Sequence, residues 1–217
     1  MQSKRTVSVV GGGFGGRLSM DGVKNSPVYE LKAVTDLRPE VCQQLEKDYP
    51  GIKAYTDHRQ MLAECPTDVV CVSTYPPSHE QITLDALKLP LKGILVEKPL
   101  GHTAASGRAI LEAVKAKGIP MAVPHGMLVK KVPCEVMQRV HNGEIGTLKL
   151  VEIQNDKWDI INAGIHWLNW TVNLLKLEPF KYVMAAIDAT TRTYRDGMQV
   201  ETIAVTYAET QSGIRVV

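Results

Sequence analysis

The sequence predicts an α/β fold in two parts, a doubly wound parallel sheet over residues 1–123 and an α+β unit with a mostly antiparallel sheet over residues 124–217. Short apolar runs alternate with helical patterns up to about residue 124, which is typical of βαβ units. Beyond that point the alternation stops, and strand-like segments flank a turn signal at Gln211-Ser212-Gly213. This second pattern indicates strands joined by hairpins.

The first part contains six apolar runs that we predict as strands. They are Val7–Val10, Leu31–Thr35, Ile52–Ala54, Asp68–Ser73, Gly93–Val96 and Ile119–Val123. Start and stop signals delimit the helices between them. Pro39-Glu40 begins one helix, Ser78 is the candidate N-cap of another, and Thr103–Lys117 is followed by Gly118. Right-handed crossovers place such helices on both faces of the sheet.

The second part is predicted to contain two helices and several strands. The predicted helices are Val132–His141 and Asn162–Leu175, and the predicted strands are Thr147–Gln154, Tyr182–Thr193, Val200–Glu209 and Ile214–Val217. Because the chain stops within a strand pattern, we expect the natural protein to continue and the second sheet to be incomplete.

The composition argues against several classes of protein. The chain is 44% hydrophobic and 22% charged, which is typical of globular proteins. Its 25 basic and 23 acidic residues give a net charge of +2, which provides no electrostatic basis for binding nucleic acid or membranes. The four cysteines form no C-x-x-C pair, so free thiols are expected. Without a signal peptide or a bilayer-spanning stretch, we expect a cytoplasmic protein.

The first predicted strand runs into a glycine cluster with G-x-G-x-x-G spacing, filled by Gly11, Gly13 and Gly16. The first glycine allows a tight turn, the second a close approach to pyrophosphate, and the third close packing of helix on strand. The amides that open the following helix, from Phe14 and Gly15 onward, then contact the phosphates. The order strand, glycines, helix is that of a Rossmann dinucleotide-binding domain, although glycine clusters also form ordinary turns.

Polar residues follow three of the other strands. Asp36 lies 20 residues after Gly16, where a carboxylate accepts hydrogen bonds from a ribose and favours NAD, although an N-cap role is also open. Arg38 can pair with a 2′-phosphate, so NADP stays open. The residues expected beside the cofactor after the fourth and fifth strands are Ser73, Thr74, Tyr75, His79, Glu97 and Lys98. For His79 the alternative is a helix cap.

Lys98 is the candidate for the chemistry. It follows a buried apolar strand, where ligands bind in open α/β sheets. Its ammonium group can hydrogen-bond a substrate oxygen and stabilise developing negative charge. The alternative is a surface lysine that happens to follow a strand. The six histidines include no pair at i, i+3 or i+4, so we expect no metal site.

Together these residues resemble the glucose–fructose oxidoreductase, inositol dehydrogenase and MocA family. The most specific segment is Val96-Glu97-Lys98-Pro99-Leu100-Gly101. In the second part, His141-Asn142-Gly143-Glu144-Ile145-Gly146 is similar to a helix-ending N-G-x-I-G segment of the family. Asn162-Ala163-Gly164-Ile165-His166 is similar to its D-x-G-x-H segment. The resemblance covers essentially the whole chain, in the right order.

The resemblance implies a set of roles. Lys98 and His166 match the catalytic lysine and histidine, and Glu97 matches an acid beside the nicotinamide ribose. Lys98, His166, His125 and Asn162 are then expected to bind substrate. Two positions depart from the family: Asn162 replaces an aspartate and can orient His166 without bringing charge, and Lys130 replaces an arginine.

The implied function is an NAD(P)-dependent oxidoreductase that transfers hydride between nicotinamide and a carbinol carbon of a sugar, polyol or related hydroxy compound. The family implies a substrate cleft between the two parts and a homodimer or homotetramer for the complete protein. Two alternatives stay open. One is a non-catalytic NAD(P)-binding sensor on the same fold. The other is a relative that uses bound NAD transiently to cleave glycosides.

Overall fold

The chain folds into two compact units, Met1–Pro124 and His125–Val217. A computed structural model describes residues 3–156, 159–188, 190 and 193–217. Within these described ranges, no helix is both long and apolar enough to cross a membrane.

The first unit is built on a six-stranded parallel sheet. Its strands are β1 (Arg5–Val10), β2 (Tyr29–Thr35), β3 (Lys53–Tyr55), β4 (Val69–Val72), β5 (Gly93–Val96) and β6 (Met121–Ala122). The spatial order is β3-β2-β1-β4-β5-β6, and all the pairs are parallel. The strand order reverses beside β1, so the doubly wound dinucleotide-binding topology is confirmed.

Five helices connect these strands. They are α1 (Phe14–Lys24), α2 (Pro39–Asp48), α3 (His58–Glu64), α4 (Pro76–Ala86) and α5 (Ala104–Lys117). The predicted ends of α5 are confirmed, since Thr103 caps it in a capping box and Gly118 ends it with φ of 71°. The predicted cap of α4 is wrong: the helix begins at Pro76 with Tyr75 as N-cap, and Ser78 lies inside it. Proline suits a first helical position because its φ is already fixed and it has no N–H to satisfy.

The sheet is buried on both faces, which explains why its central strands β4 and β5 are continuous apolar runs. Val9 packs with Met20 of α1 and Leu45 of α2. Its neighbour Val10 points to the opposite face and belongs to a cluster with Ile110 of α5. A strand covered on both sides has no polar alternation, so β-branched runs rather than period-two patterns mark it in the sequence.

Asp85 is the most strongly paired buried carboxylate described in the first unit. It lies on α4 with its side chain 5% exposed, and it accepts hydrogen bonds from His58, Arg59 and Lys88 at 3.1, 2.9 and 2.6 Å. Burial raises the pKa of Asp85, but the bonds from Lys88, His58 and other neighbours outweigh it and hold the pKa far below the ordinary value of 3.8. Its ionised form therefore stabilises the fold.

We expect Asp85→Asn to lower the free energy of unfolding by about 1–3 kcal/mol at neutral pH, because Arg59 and Lys88 lose a charged acceptor. The stability difference between the variant and the wild type is largest above the ordinary pKa of Asp85. It disappears as the pH falls through the lowered pKa of Asp85 in the folded protein. The variant should therefore differ less from the wild type in acid than at pH 7.

Urea unfolding followed by circular dichroism measures this effect. Tryptophan fluorescence would not report unfolding of the first unit, since the three tryptophans, Trp158, Trp167 and Trp170, all lie outside it in the sequence. Glu30→Gln is the matched control, because Glu30 pairs with Lys32 at the surface and such pairs contribute at most about 1 kcal/mol. Equal losses in the two variants would contradict the role assigned to Asp85.

The second unit has two helices and a mixed sheet. The helices are α6 (Lys131–His141) and α7 (Ile165–Leu174); a short 3-10 helix (Gly126–Leu128) precedes α6, and a π-helix (Ile160–Gly164) leads into α7. The strands are β7 (Leu150–Val151), β8 (Phe180–Ile187), β9 (Thr193–Arg195), β10 (Met198–Val200), β11 (Ala204–Thr210) and β12 (Arg215–Val216). Four of them form a sheet in the order β7-β12-β11-β8, in which only the β12–β7 pair is parallel.

The strands of this unit differ from the predicted ones more than those of the first. The strand expected over Thr147–Gln154 is reduced to the two residues of β7. The predicted strands Tyr182–Thr193 and Val200–Glu209 correspond to β8 and β11. A separate hairpin of β9 and β10, whose turn is Asp196-Gly197, lies between them and includes Thr193 and Val200. Of the predicted strand Tyr182–Thr193, residues 189, 191 and 192 lie outside the described residues. The predicted turn at Gln211-Ser212-Gly213, between β11 and β12, is confirmed.

Candidate active site

The glycine loop between β1 and α1 is tightly packed at two of its glycines. Gly11 has φ of 106°, and a Cβ on it would lie 2.3 Å from the carbonyl oxygen of Ser73. A Cβ on Gly16 would lie 1.8 Å from the carbonyl oxygen of Gly11. Both neighbours are backbone atoms that cannot swing aside, so the fold itself requires glycine at these positions.

Gly13 differs, because no described atom lies within 4 Å of the place its Cβ would occupy. It is the N-cap of α1, and the next residue, Phe14, is 83% exposed. Amides that open a helix have no partner within it, and the helix dipole adds positive charge there. The first turn of α1 carries no acidic residue. The loop thus has the space, donors and charge that a pyrophosphate requires, and a dinucleotide fits it.

Asp36 follows β2, and its carboxylate is fully engaged within the protein. Oδ2 accepts the backbone N–H of Gly12 at 3.0 Å and Nη2 of Arg38 at 3.1 Å. Oδ1 accepts the backbone N–H of Arg38 at 3.0 Å and its Nε at 2.9 Å. Burial raises the pKa of Asp36, but the bonds from Arg38 and Gly12 outweigh it and keep the pKa below its usual value. Since a carboxylate accepts about four hydrogen bonds, a ribose that binds here must displace Arg38.

Ser73, Thr74 and Tyr75 follow β4, and the first two of them lie against the glycine loop. The Ser73 amide donates to the carbonyl of Val10 at 2.7 Å, and its carbonyl faces Gly11. The Thr74 hydroxyl bonds to that of Ser78 at 2.7 Å, while Tyr75 is 64% exposed. The positions of these three residues agree with contacts to a cofactor on the loop, which remain a prediction.

His79 is the one predicted cofactor contact that the structure contradicts. Its side chain is fully buried in α4. Nε2 lies 2.9 Å from the carbonyl oxygen of Thr74, and Nδ1 lies 3.1 Å from that of Pro99. Burial lowers the pKa of His79 although these carbonyls favour its protonated form. His79 therefore ties the loop after β4 to the loop after β5 and has no nitrogen to offer a cofactor.

Glu97 and Lys98 follow β5 at the same edge of the sheet. The Glu97 side chain lies 3.3 Å from the place that a Cβ on Gly15 would occupy, so the acid borders the glycine loop. Its Oε2 accepts the Lys98 amide at 3.1 Å. Burial raises the pKa of Glu97, against the opposing bond and charge of Lys98. The structure thus brings together the glycine loop, Asp36 and Glu97, and Lys98 is the next residue along the chain.

In the second unit, the structure brings the two predicted histidines together. The rings of His125 and His166 meet edge to face, with centroids 5.4 Å apart. Asn162 lies in the π-helix, almost fully buried, four residues before His166. Its side-chain amide donates to the carboxylate of Asp196. Among the described residues, no three His, Cys, Asp or Glu side chains are grouped as metal ligands would be.

Sequence reasoning missed four charged residues around the start of α7: Asp159, Arg195, Asp196 and Glu201. One signal was present, because Asp-Gly between short strands is a strong mark of a tight hairpin. That signal locates the turn, but it does not say which helix the hairpin contacts.

Comparison with known proteins identifies the family of the first unit. The model of GFO_IDH_MocA, described as an oxidoreductase family with an NAD-binding Rossmann fold, matches residues 5–125. That range contains the parallel sheet, the glycine loop, Asp36, Glu97 and Lys98.

Two curated relatives extend the similarity. The "Uncharacterized oxidoreductase YrbE" of Bacillus subtilis (strain 168) is 24% identical over 160 residues, which cover 70% of this chain and 45% of the relative. The inositol 2-dehydrogenase of Acidiphilium cryptum (strain JF-5) is 25% identical over 225 residues, which cover 97% of this chain and 65% of the relative. The chain thus spans less than two thirds of the length of both relatives.

Solved structures show the same fold. The WlbA dehydrogenase from Bordetella pertussis, in complex with NADH and UDP-GlcNAcA, matches with a TM-score of 0.84 at 18% identity, over 100% of this chain and 66% of that one. The myo-inositol dehydrogenase from Lactobacillus casei, in complex with NAD(H) and myo-inositol, matches with a TM-score of 0.80 at 21% identity, over 98% of this chain and 66% of that one. Since the family model covers more than half of the chain, the protein belongs to the GFO_IDH_MocA family of oxidoreductases.

Proposed function

We propose that the protein is an NAD(P)-dependent oxidoreductase acting on a carbinol carbon of a sugar, polyol or related hydroxy compound. The observation that carries the proposal is the grouping of an open helix N-terminus at Gly13 with Asp36 and Glu97 at one edge of the parallel sheet. Lys98 follows directly. Nicotinamide, when bound, supplies the hydride acceptor or donor.

The chain's own residues bind the cofactor and move the proton. The loop amides from Phe14 onward bind the pyrophosphate, and Asp36 with Arg38 faces the adenosine ribose. Lys98 hydrogen-bonds the reacting oxygen and stabilises negative charge on it. His166 takes the proton from that oxygen or returns it.

The relatives support a polyol or sugar as substrate class. Several of them are inositol 2-dehydrogenases, and one solved neighbour holds myo-inositol while another holds UDP-GlcNAcA. All of these ligands carry carbinol groups. Incubation with a panel of polyols and sugars, with either cofactor, is followed by the absorbance of reduced nicotinamide. Net reduction of the cofactor supports the proposal, and bound cofactor without hydride exchange would overturn it in favour of a sensor.

Arg38 is expected to set the choice between NAD and NADP. Its guanidinium occupies both oxygens of Asp36, which neutralises the carboxylate that would otherwise repel a 2′-phosphate. We propose that Arg38 remains on Asp36 and contacts the phosphate of NADP, and that it swings out when the ribose of NAD binds. Its side chain is 59% exposed, so it has room to move.

We therefore expect Arg38→Ala to weaken NADPH binding at least tenfold, or by about 1.4 kcal/mol, while NADH binding is unchanged or tighter. Isothermal titration with the two reduced cofactors measures both affinities. Arg108→Ala is the control, since Arg108 is exposed on α5 and should leave both affinities unchanged. Equal weakening of NADH and NADPH by Arg38→Ala would contradict this role.

We also propose that the complete protein is a homodimer or homotetramer that assembles through its second unit. Large apolar side chains are exposed along β8 and β11, where a water-facing sheet normally carries polar groups. They include Val183, Met184, Ile187 and Val205, each more than half exposed. Light scattering during size-exclusion chromatography gives the mass, and a monomer at micromolar concentration would contradict this assembly.

A further inference from the structure

The hairpin of β9 and β10 has a turn whose geometry is set by two residues. Arg195 pairs with Met198, so the loop between them is only Asp196-Gly197. Both loop residues have positive φ, 49° at Asp196 and 78° at Gly197. This is the two-residue turn that matches the twist of paired strands, and Asp, Asn and Gly are the residues that tolerate its first position. The backbone of Asp196 is thus held in place by the turn.

Three side chains from this hairpin and the residue that follows it bind the segment before α7. Nη1 of Arg195 lies 2.9 Å from Oδ2 of Asp159, whose carboxylate caps the π-helix and is almost fully buried. Oε1 of Glu201 accepts the amide of Ile160 at 2.5 Å. Asp196 accepts the side-chain amide of Asn162. All three contacts hold the helical turn that immediately precedes His166.

The contact between Asp196 and Asn162 differs from the other two, because it fixes a side chain rather than the backbone or a cap. An amide can rotate by half a turn and exchange its donor and its acceptor. A carboxylate accepts only, so Asp196 holds the Asn162 NH2 toward itself and sets the direction of the amide oxygen. It also places a negative charge beside a residue that has none.

We propose that Asp196 is a positioning residue for His166 and acts through Asn162. Asn162 lies four residues before His166, a spacing that places two helical side chains on nearly the same face. In this proposal, the direction of the Asn162 amide sets which hydrogen bond it offers to the imidazole of His166. Asp196 supplies the carboxylate that an aspartate at position 162 would have supplied directly. The proposal rests on the role given to His166 under the proposed function.

Two substitutions separate the charge from the side chain. Asp196→Asn keeps the turn and an acceptor oxygen but removes the charge. Asp196→Gly removes the whole side chain, and glycine keeps the positive φ without strain, so the hairpin still folds. Gln199→Ala is the control on the same hairpin, since Gln199 is exposed on β10 and makes no described contact with α7.

Long-range 1H–15N spectra of the histidine rings report the tautomers of His166 without any need for turnover. We expect one dominant tautomer in the wild type and in Gln199→Ala, and a changed tautomer ratio in Asp196→Gly. Once a substrate is known, kcat should fall about tenfold in Asp196→Gly, at an unchanged KM for the cofactor. This loss is smaller than the roughly 10²–10⁴-fold loss expected when an acid–base group is removed altogether.

Exchange of the two groups gives a rescue experiment. Asn162→Asp alone places two carboxylates in contact and should lower both kcat and the melting temperature. The double variant Asn162→Asp with Asp196→Asn restores an amide–carboxylate pair and should recover kcat to within about threefold of the wild type, because residues in contact show strong coupling of this kind.

The outcomes are distinguishable from failure of the proposed function. If the wild type oxidises no substrate, the proposed function fails, and the His166 spectra still decide the role of Asp196. If Asp196→Gly lowers the melting temperature but leaves the His166 tautomers unchanged, Asp196 is merely structural and the inference is overturned. Absence of rescue in the double variant would overturn it as well.

Discussion

Replacing Lys98 by methionine is expected to lower kcat by about 10²–10³-fold and to leave NADH binding largely intact. Methionine keeps the length and the apolar stem of the side chain and removes only the ammonium group. Loss of one donor that stabilises negative charge on a reacting oxygen has an effect of about this size. Because Lys98 lies after β5 and not in the pyrophosphate loop, the cofactor keeps its other contacts. Steady-state kinetics and a cofactor titration measure the two quantities.

Lys92→Met is the matched control for this variant. Lys92 lies before β5, at the opposite end of the same strand, and pairs with Asp68 at 2.6 Å. Its ammonium group lies at the amino end of the sheet, away from the edge where ligands bind. Its loss should change stability slightly and leave kcat unaltered. An unchanged kcat in Lys98→Met would refute the assignment of Lys98.

Substitution of Gly16 by alanine is expected to abolish dinucleotide binding. The added Cβ would lie 1.8 Å from the carbonyl oxygen of Gly11, and no side-chain rotation relieves this clash because the backbone fixes the position of a Cβ. The loop or the start of α1 must therefore move, and the amides that contact the pyrophosphate move with it. The melting temperature of the first unit should fall as well, because α1 packs closely on the glycine loop at this contact.

Gly22→Ala provides the comparison on the same helix. Nothing lies within 4 Å of the Cβ position of Gly22, so alanine fits. Alanine at an unstrained helical position should stabilise the protein by about 0.4–1 kcal/mol. Cofactor binding by Gly22→Ala should equal that of the wild type. If Gly16→Ala binds NADH as tightly as Gly22→Ala does, the glycine loop is not the pyrophosphate site.

The first unit could be predicted almost completely, and the reason is physical. A parallel sheet buried on both faces favours continuous apolar runs, and each of its six strands overlaps a run that the sequence predicts as a strand. Helix ends with local chemistry, such as Thr103 and Gly118 around α5, were equally readable. The start of α4 was not, because Ser78 is a good capping residue by type while Pro76 had already fixed the backbone two residues earlier.

The candidate site was readable only where side chains lie next to each other along the chain or at strand ends. The glycine loop and Glu97 meet because both follow strands of one parallel sheet, which topology alone predicts. The position of His79 after β4 suggests a contact with a ligand. Its two ring nitrogens instead face backbone carbonyls of two loops. No local pattern reports such tertiary partners.

The second unit shows the same limit more strongly. In the sequence, Asn162 stands where an aspartate is expected, so a negative charge is missing at that position. In the structure, the carboxylate of Asp196, 34 residues further along the chain, accepts a hydrogen bond from Asn162. The hairpin that carries it was hidden because β9 and β10 are only three residues each. Short strands carry little periodicity, so their pairing depends on the turn and on tertiary contacts.

The central claim is that the glycine loop, with Asp36 and Arg38, binds a nicotinamide dinucleotide. Isothermal titration of the wild-type chain and Gly16→Ala with NADH and NADPH tests it most directly, since it needs neither substrate nor turnover. We predict saturable binding of one dinucleotide per chain by the wild type and none by Gly16→Ala. Absence of binding of both cofactors to the folded wild type, or equal binding by the two proteins, would contradict it.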